Sequence, residues 1–339
     1  MTYTLYVGID IAAQSAAVAW QVPDRGEWQA LEIKQQQSDY ARLMQQLRRQ
    51  ATPAETLVVM EATGVYWLAL ADALHRQGFQ VGVINPLQAR RFAQLHLQHA
   101  KTDAIDARLL AAYAQHMQPT PWTPPPAIYY HLQQRLAYRQ DLVKIRTQER
   151  NHLHALRHHP HADAAIIQRQ RQHLAYLTGQ IKALEAELKT LLAGDHPWRE
   201  AARRLQTIKG FGPIVTAWLL VATQCFAFCD TPEQAAAYAG LVPYPRHSGS
   251  SLRATRSTGR TGHAQLRTML YMAALSAARH TPPVKALYDR LLARGKPNKV
   301  ARVAAARKLV HIAWAVVVKE RDFDPYYNTP SHQAVPIPT

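Results

Sequence analysis

The sequence predicts an α/β domain at its start, a helical middle and a mainly α-helical C-terminal domain. Three observations carry this. Strand signals crowd the first part and then alternate with helix signals up to about residue 118. Residues 119–126, PTPWTPPP, hold five prolines in eight positions, a stiff linker and a domain boundary. Beyond it helical spacing takes over and strand signals cease. The expected division is 1–118, 119–195 and 196–339, consistent with two or three domains for 339 residues.

Tyr3 to Ile9 reads as a strand ending at Asp10, Ala16 to Gln21 as a second, and Trp28 to Ile33 as a third after a Pro23-Asp24-Arg25-Gly26 turn. Ser38 is the expected cap of a helix through Arg49. Thr56 to Met60 is a β-branched strand stopping at Glu61, followed by a helix from Val65 to Gln77 that Gly78 closes. Phe79 to Ile84 is another strand. Helices from Leu87 to about His96 and from the Asp103 region to Met117 complete the first domain. In the middle, Leu174, Leu177, Ile181, Leu184, Leu188 and Leu191 form a coiled-coil-like seam, which pairs either within the chain or with a second copy. Histidines 152, 154, 158, 159 and 161 suggest a metal cluster, but exposed imidazoles at a Pro-broken helix end fit better. From 196 onward the reading is helical, with an irregular stretch over 242–262 and a loose tail after Asp322.

The charge is unevenly placed. Residues 1–118 hold ten Lys+Arg and ten Asp+Glu, so the whole net charge of +17 lies beyond them. Within 244–308 stand 14 basic residues and a single acid, Asp289, a footprint for a polyanion such as nucleic acid. No apolar run reaches 18 residues, which argues against a membrane span, and no signal-peptide pattern opens the chain. Cys225 and Cys229 lack a second pair to complete a zinc site and read as ordinary buried thiols in a cytoplasmic protein.

Four carboxylates sit where chemistry is usually placed. Asp10 and Glu61 end strands, and Asp103 and Asp106 start a helix three residues apart, on one face. Carboxylates that converge repel one another and need a cation, and hard oxygen donors suit Mg²⁺ or Mn²⁺. Singly, each reads more readily as a turn or cap residue, Asp103 as the cap of its own helix; the pattern as a set is far more specific. Lys209-Gly210-Phe211-Gly212 between two helices has the form of a helix-hairpin-helix, whose glycines let backbone approach a phosphate; a purely structural turn fits as well.

The strings Gly8-Ile9-Asp10, Met60-Glu61-Ala62-Thr63-Gly64, Ile84-Asn85-Pro86 and Lys101-Thr102-Asp103-Ala104-Ile105-Asp106-Ala107-Arg108 resemble the DEDD transposases of the insertion-sequence-110 family. The resemblance runs through nearly the whole chain in the same order. It implies an N-terminal domain similar to the Holliday-junction-resolvase branch of the RNase H fold, with Asp10, Glu61, Asp103 and Asp106 as divalent-metal ligands. It implies a C-terminal transposase domain whose hairpin contacts DNA. Ala239-Gly240-Leu241-Val242-Pro243 followed by Arg246-His247-Ser248-Gly249-Ser250-Ser251 also resembles the family, which makes Ser248 the implied nucleophile joined to DNA. Arg246, Arg253, Arg256, Arg260 and Arg267 are candidate phosphate-binding residues, and His247 a candidate base. Ser250, Ser251, Tyr244 and Tyr271 remain rival nucleophiles, and a Ser-Gly-Ser-Ser run is by itself an ordinary polar loop.

The resemblance further implies a bridge RNA pairing with donor and target DNA, and a multimer, dimer or tetramer, in which one copy's acidic site meets another's serine. Two rivals stay open. One is a resolvase-type endonuclease that needs the acids but not Ser248. The other is a catalytically silent nucleic-acid-binding protein.

Overall fold

The computed structural model describes residues 3–22, 26–96, 102–243, 247–248, 252–253 and 261–327. The chain divides into two compact units, Met1–Pro124 and Pro125–Thr339.

The first unit is built on a five-stranded sheet. Strands β1 (Leu5–Ile11), β2 (Ser15–Gln21) and β3 (Trp28–Lys34) form an antiparallel meander, and β4 (Thr56–Glu61) and β5 (Gln80–Ile84) add in parallel on the other side of β1, in the order β3-β2-β1-β4-β5. Thr56 through Met60 are fully buried, as a central strand covered on both faces requires. Helices α1 (Gln37–Arg48) and α2 (Trp67–Arg76) cover one face. There Tyr40, Leu43, Leu47, Leu70 and Leu74 pack on Leu5, Val7, Ile9, Val58 and Met60. Helices α3 (Pro86–Leu95) and α4 (Asp103–Met117) cover the other face, where Phe92, Leu110 and Tyr113 meet Leu57, Val59 and Ile84. The proline-rich stretch is docked on this unit: Pro119 lies against Gly82, the Trp122 N–H donates to Val81 O at 2.6 Å, and its ring meets Trp67 edge-on.

In the second unit α5 (Ala127–Arg157) and α6 (Ala164–Ala193) form an antiparallel hairpin. The ion pairs Arg135–Glu187 and Arg139–Glu185 fix its direction. Leu177, Ile181, Leu184 and Leu188 of the seam are buried, so within the chain the seam packs on α5. At the hairpin's base Leu132, Leu136, Leu188 and Leu192 join the main core with α7 (Arg199–Gln206), α8 (Pro213–Thr223), α9 (Pro232–Tyr238), α10 (Ala264–His280), α11 (Pro282–Ala293) and α12 (Asn298–Val318). Helix α8 is apolar nearly all round and is correspondingly surrounded.

Several expectations are corrected. Ser38 caps nothing: α1 starts one residue earlier and its N-cap, Gln36, makes no side-chain cap bond. Two short strands, β6 (His247–Ser248) and β7 (Leu252–Arg253), pair antiparallel inside the stretch read as irregular. The tail after Asp322 begins anchored. Arg203 donates to both Asp322 oxygens at 2.9 and 3.0 Å, and the Phe323 N–H donates to Thr207 Oγ1. Both cysteines are free thiols. Cys229 is buried and Cys225 half-buried, its pKa pushed up to about 11 by burial, which leaves it protonated at neutral pH.

Candidate functional site

The acidic residues gather at one edge of one sheet face. Along β1, Leu5, Val7 and Ile9 face α1 and α2, so Gly8 and Asp10 point to the α4 side. Helix α4 lies directly on Gly8: a Cβ there would stand 2.0 Å from Ala107 O and 2.2 Å from Ala111 N. No side chain fits such an approach, which explains the glycine. Farther along, the Gln118 amide just after α4 donates to the Tyr6 hydroxyl at 3.1 Å, so α4 runs antiparallel to β1. Its first turn therefore stands at the end of β1 that carries Asp10.

Glu61 ends β4, one residue past the Ile9↔Met60 pair. Leu57 and Val59 face α3 and α4, and alternation turns Glu61 the same way. Its Oε1 accepts from Thr63 Oγ1 at 2.6 Å. Asp103 is exposed and Asp106 half-buried in the first turn of α4. The cap of that helix is Thr102, whose hydroxyl accepts from the Ile105 N–H at 3.3 Å, so Asp103 is not the cap. Asp10 and Asp103 line one cleft of about 300 Å³. Among the described residues no three His, Cys, Asp or Glu side chains stand close enough to grip one ion, here or at the exposed histidines of the hairpin.

Neighbouring residues of the same motifs have structural duties. Ala107 is the small residue that meets Gly8, and the Arg108 guanidinium sits 5.8 Å from the Trp28 ring centroid. Asn85 caps α3 through a reciprocal bond with Gln88. Two residues escaped the sequence reading. Glu32 lines the cleft with Asp10 and Asp103, since Ala17 pairs with both Asp10 and Glu32 across the meander. Strand alternation in β3 was the signal available for it. Gln35 donates through Nε2 to Ala12 O at 3.1 Å and to Tyr66 O at 3.3 Å, and its Oε1 accepts from the buried Tyr40 hydroxyl. It straps the loop after Asp10 to the loop after Glu61, and nothing in the sequence marks it.

In the second unit, Lys209 to Gly212 join α7 to α8. Lys209 and Gly212 are exposed, but Gly210 is turned inward. Its φ is +108° and a Cβ would lie 2.8 Å from Ala273 O. The buried Thr281 hydroxyl donates to Lys209 O at 3.0 Å. The hairpin is thus seated on α10, with Gly210 serving packing and Lys209 left for solvent.

Ser248 lies in β6 opposite Leu252, and Arg253 in β7 opposite His247. Tyr244, Arg246, Ser250, Ser251, Arg256 and Arg260 lie outside the described residues. Where the chain enters and leaves this segment, two left-handed glycines meet. Gly240 has φ +70° and Gly262 +91°, and a Cβ on Gly262 would stand 2.6 Å from Gly240 N. Arg267 closes this neck: its Nη1 donates to Thr261 O at 3.0 Å and fills the place of a Gly240 side chain. Arg267 is therefore engaged with backbone. His263 caps α10 by accepting from the Leu266 N–H, and burial lowers its pKa. The Tyr271 hydroxyl accepts from Arg302 at 3.4 Å.

Comparison with known proteins joins the two units. A DEDD-type IS110 model described as "Transposase" matches residues 7–160, and a "Transposase IS116/IS110/IS902 family" model matches 202–289. Pilin gene-inverting proteins of Moraxella bovis and Moraxella lacunata are each 28% identical over 326 residues, covering 94% of this chain and 97% of theirs. An uncharacterized 43.6 kDa protein of insertion element IS110 from Streptomyces coelicolor is 31% identical over 138 residues, 41% of this chain and 33% of its own. The first match contains all four acids and the second contains the hairpin, the glycine neck and Ser248. With both units matched to the same group in chain order, this protein belongs to the IS116/IS110/IS902 family of transposases, enzymes of DNA recombination.

Proposed function

We propose that this transposase cuts and rejoins DNA with an acidic, metal-binding edge in its first unit and a serine nucleophile, Ser248, in its second. The observation that carries the reading is the antiparallel seat of α4 on Gly8. With α4 antiparallel to β1, the start of α4 lies at the end of β1 that carries Asp10, which supports reading Asp103 and Asp106 with Asp10 and Glu61 as one acidic edge. The strand order β3-β2-β1-β4-β5 supports an RNase H-like identity for this domain.

The donor set is all hard carboxylate oxygen, which fits Mg²⁺ or Mn²⁺. Asp10, Glu61, Asp103 and Asp106 would hold the ion, which when bound supplies charge stabilisation at a phosphodiester. The protein's own residues do the rest. The Ser248 oxygen attacks phosphorus and forms a phosphoserine bond, while the bond from phosphorus to a deoxyribose oxygen breaks. The serine proton leaves to a base, for which His247 is adjacent in sequence, and the departing oxygen takes up a proton. Attack by a free hydroxyl of another strand reverses the exchange. One diester replaces another, so no nucleotide cofactor is consumed. A bridge RNA that pairs with donor and target DNA would choose the sites, leaving the protein to grip backbones. Exposed Lys209 and the arginines of 244–308 suit that grip. The acids and the serine belong to different compact units, which suits assembly as a multimer in which one copy's edge serves another's serine.

The test is denaturing electrophoresis of the protein with labelled DNA, followed by peptide mapping. Wild type should give an adduct at Ser248. Ser248→Ala should bind nucleic acid without an adduct, and folded Asp10→Asn should bind without cleaving. Cleavage by Ser248→Ala with no adduct would instead mean hydrolysis by water, the resolvase-type reaction. An adduct at Ser250, Ser251, Tyr244 or Tyr271 would move the nucleophile.

A further inference from the structure

The α5–α6 hairpin has two electrostatic halves. Arg135, Arg139, Arg146, Arg150 and Arg157 recur at spacings that keep them within about 60° on one stripe of α5 at 100° per residue. Near the base the stripe is neutralised from across the hairpin. Arg135 Nε reaches Glu187 at 2.9 Å, and Arg139 Nε reaches Glu185 at 2.8 Å. Farther out the stripe continues but α6 stops answering it. Opposite Arg150 the antiparallel register brings His173, which stands 3.9 Å from Glu149.

Between 144 and 173 only two carboxylates occur, Glu149 and Asp163. Both are engaged, Asp163 as the cap of α6, accepting from the Ala165 N–H at 2.7 Å, and Glu149 beside His173. Arg146, Arg150, Arg157, Arg169 and Arg171 meet no carboxylate among the described residues, and all but the half-buried Arg146 are exposed. Six histidines share this end. Little apolar packing accounts for it: the small cluster around Leu142 and Leu177 ends short of the turn, and beyond it Leu153 is buried.

Like charges set in a line on a rigid helix repel one another, and an extended partner with regularly spaced negative charge removes that cost. From 146 to 157 the stripe runs about 16 Å at 1.5 Å per residue. One strand of B-DNA carries a phosphate per about 3.4 Å of axis, so the stripe spans about five phosphates. Guanidinium forks also match phosphate oxygens in pairs. We propose that the distal half of this hairpin is a nucleic-acid arm that grips a phosphodiester backbone through Arg146, Arg150 and Arg157. Its binding is separate from the basic stretch 244–308 and needs neither the acidic edge nor Ser248.

The test uses the full chain, with fluorescence anisotropy of a labelled DNA duplex and of a labelled single-stranded RNA over about 50 to 200 mM salt. The variant Arg146→Gln/Arg150→Gln/Arg157→Gln should flatten the slope of log affinity against log salt, by up to about 2.7 on duplex DNA or about 2.1 on single-stranded RNA. The probe whose slope falls identifies which backbone the arm holds. The matching Arg→Lys triple should keep the slope, because it keeps the charge. Should the Gln triple lose its fold by circular dichroism, Arg150→Gln alone should still remove up to about 0.9 on duplex or about 0.7 on RNA. Unchanged slopes on both probes in a folded variant overturn the proposal.

Discussion

The acidic edge and the neck of the serine segment both depend on glycine, but in opposite ways. At the edge Gly8 is one point in a broad contact. Helix α4 also packs Leu110 and Tyr113 into a core that β4, β5 and α3 share, and the four carboxylates stand on three elements, β1, β4 and α4. At the neck, positioning passes through a few atoms: two left-handed glycines back to back, one arginine on a carbonyl and one capping histidine. The first arrangement ties site geometry to the stability of a whole unit. The second lets geometry change while the unit stays folded.

The largest expected effect is therefore on folding, at the edge. Gly8→Val drives side-chain atoms into the α4 backbone, which has no rotamer by which to yield. The first unit should lose about 3 kcal/mol or more, seen as a fall in Tm on the order of 10 °C. A Tm within a degree or two of wild type would show that α4 can slide, and with it the argument for the edge would go.

At the neck the balance should reverse. In Gly240→Ala the new methyl stands 2.1 Å from Arg267 Nη1 and 2.5 Å from Thr261 O, at a φ of +70°. The strain, about 1–2 kcal/mol, falls at the root of the serine segment, between the core residues Ala239 and Leu241. Recombination should drop by more than tenfold with the second unit still cooperatively folded. A loss of recombination no greater than the loss of folded protein would make the neck ordinary scaffolding.

The smallest effect sharpens the same contrast through pH. His263 accepts the Leu266 N–H through Nδ1, which must be unprotonated, and burial holds its pKa below the usual imidazole value. The unfolded chain, with a pKa near about 6.5, takes up the proton first. Stability from this cap is thus complete above that value and is lost as pH falls below it, toward the lower folded pKa. Asn caps helices without titrating, so His263→Asn should gain on wild type under acid by a few tenths to about 1 kcal/mol. Parallel pH profiles of Tm for the two proteins would rule the cap out as the cause.

How far the sequence reaches follows the same division. The α/β make-up of the first unit is legible because strand and helix signals alternate along the chain, while the order β3-β2-β1-β4-β5 comes from the structure. The edge is legible because strand ends and the spacing of Asp103 and Asp106 are local properties. What stays hidden is tertiary. The Gly8–Ala107 approach and Glu32 beside Asp10 arise from which strands and helices adjoin, and no local pattern encodes them. Arg267 reads as a free cation in a basic run until Thr261 O is found beside it. The seam on α6 leaves its partner open because heptad spacing says what is buried and not against what.

Gln35 acts as a mechanical part. An amide group is planar, and the angle between its two N–H bonds is fixed by its chemistry. With one N–H on Ala12 and the other on Tyr66, it works as a caliper whose jaws are the loops after Asp10 and Glu61. The handle is steadied by the hydroxyl of Tyr40, itself sunk in the core. A change in the gap between the two loops must stretch or break one of these bonds, so a single side chain holds their spacing directly and not through the sheet.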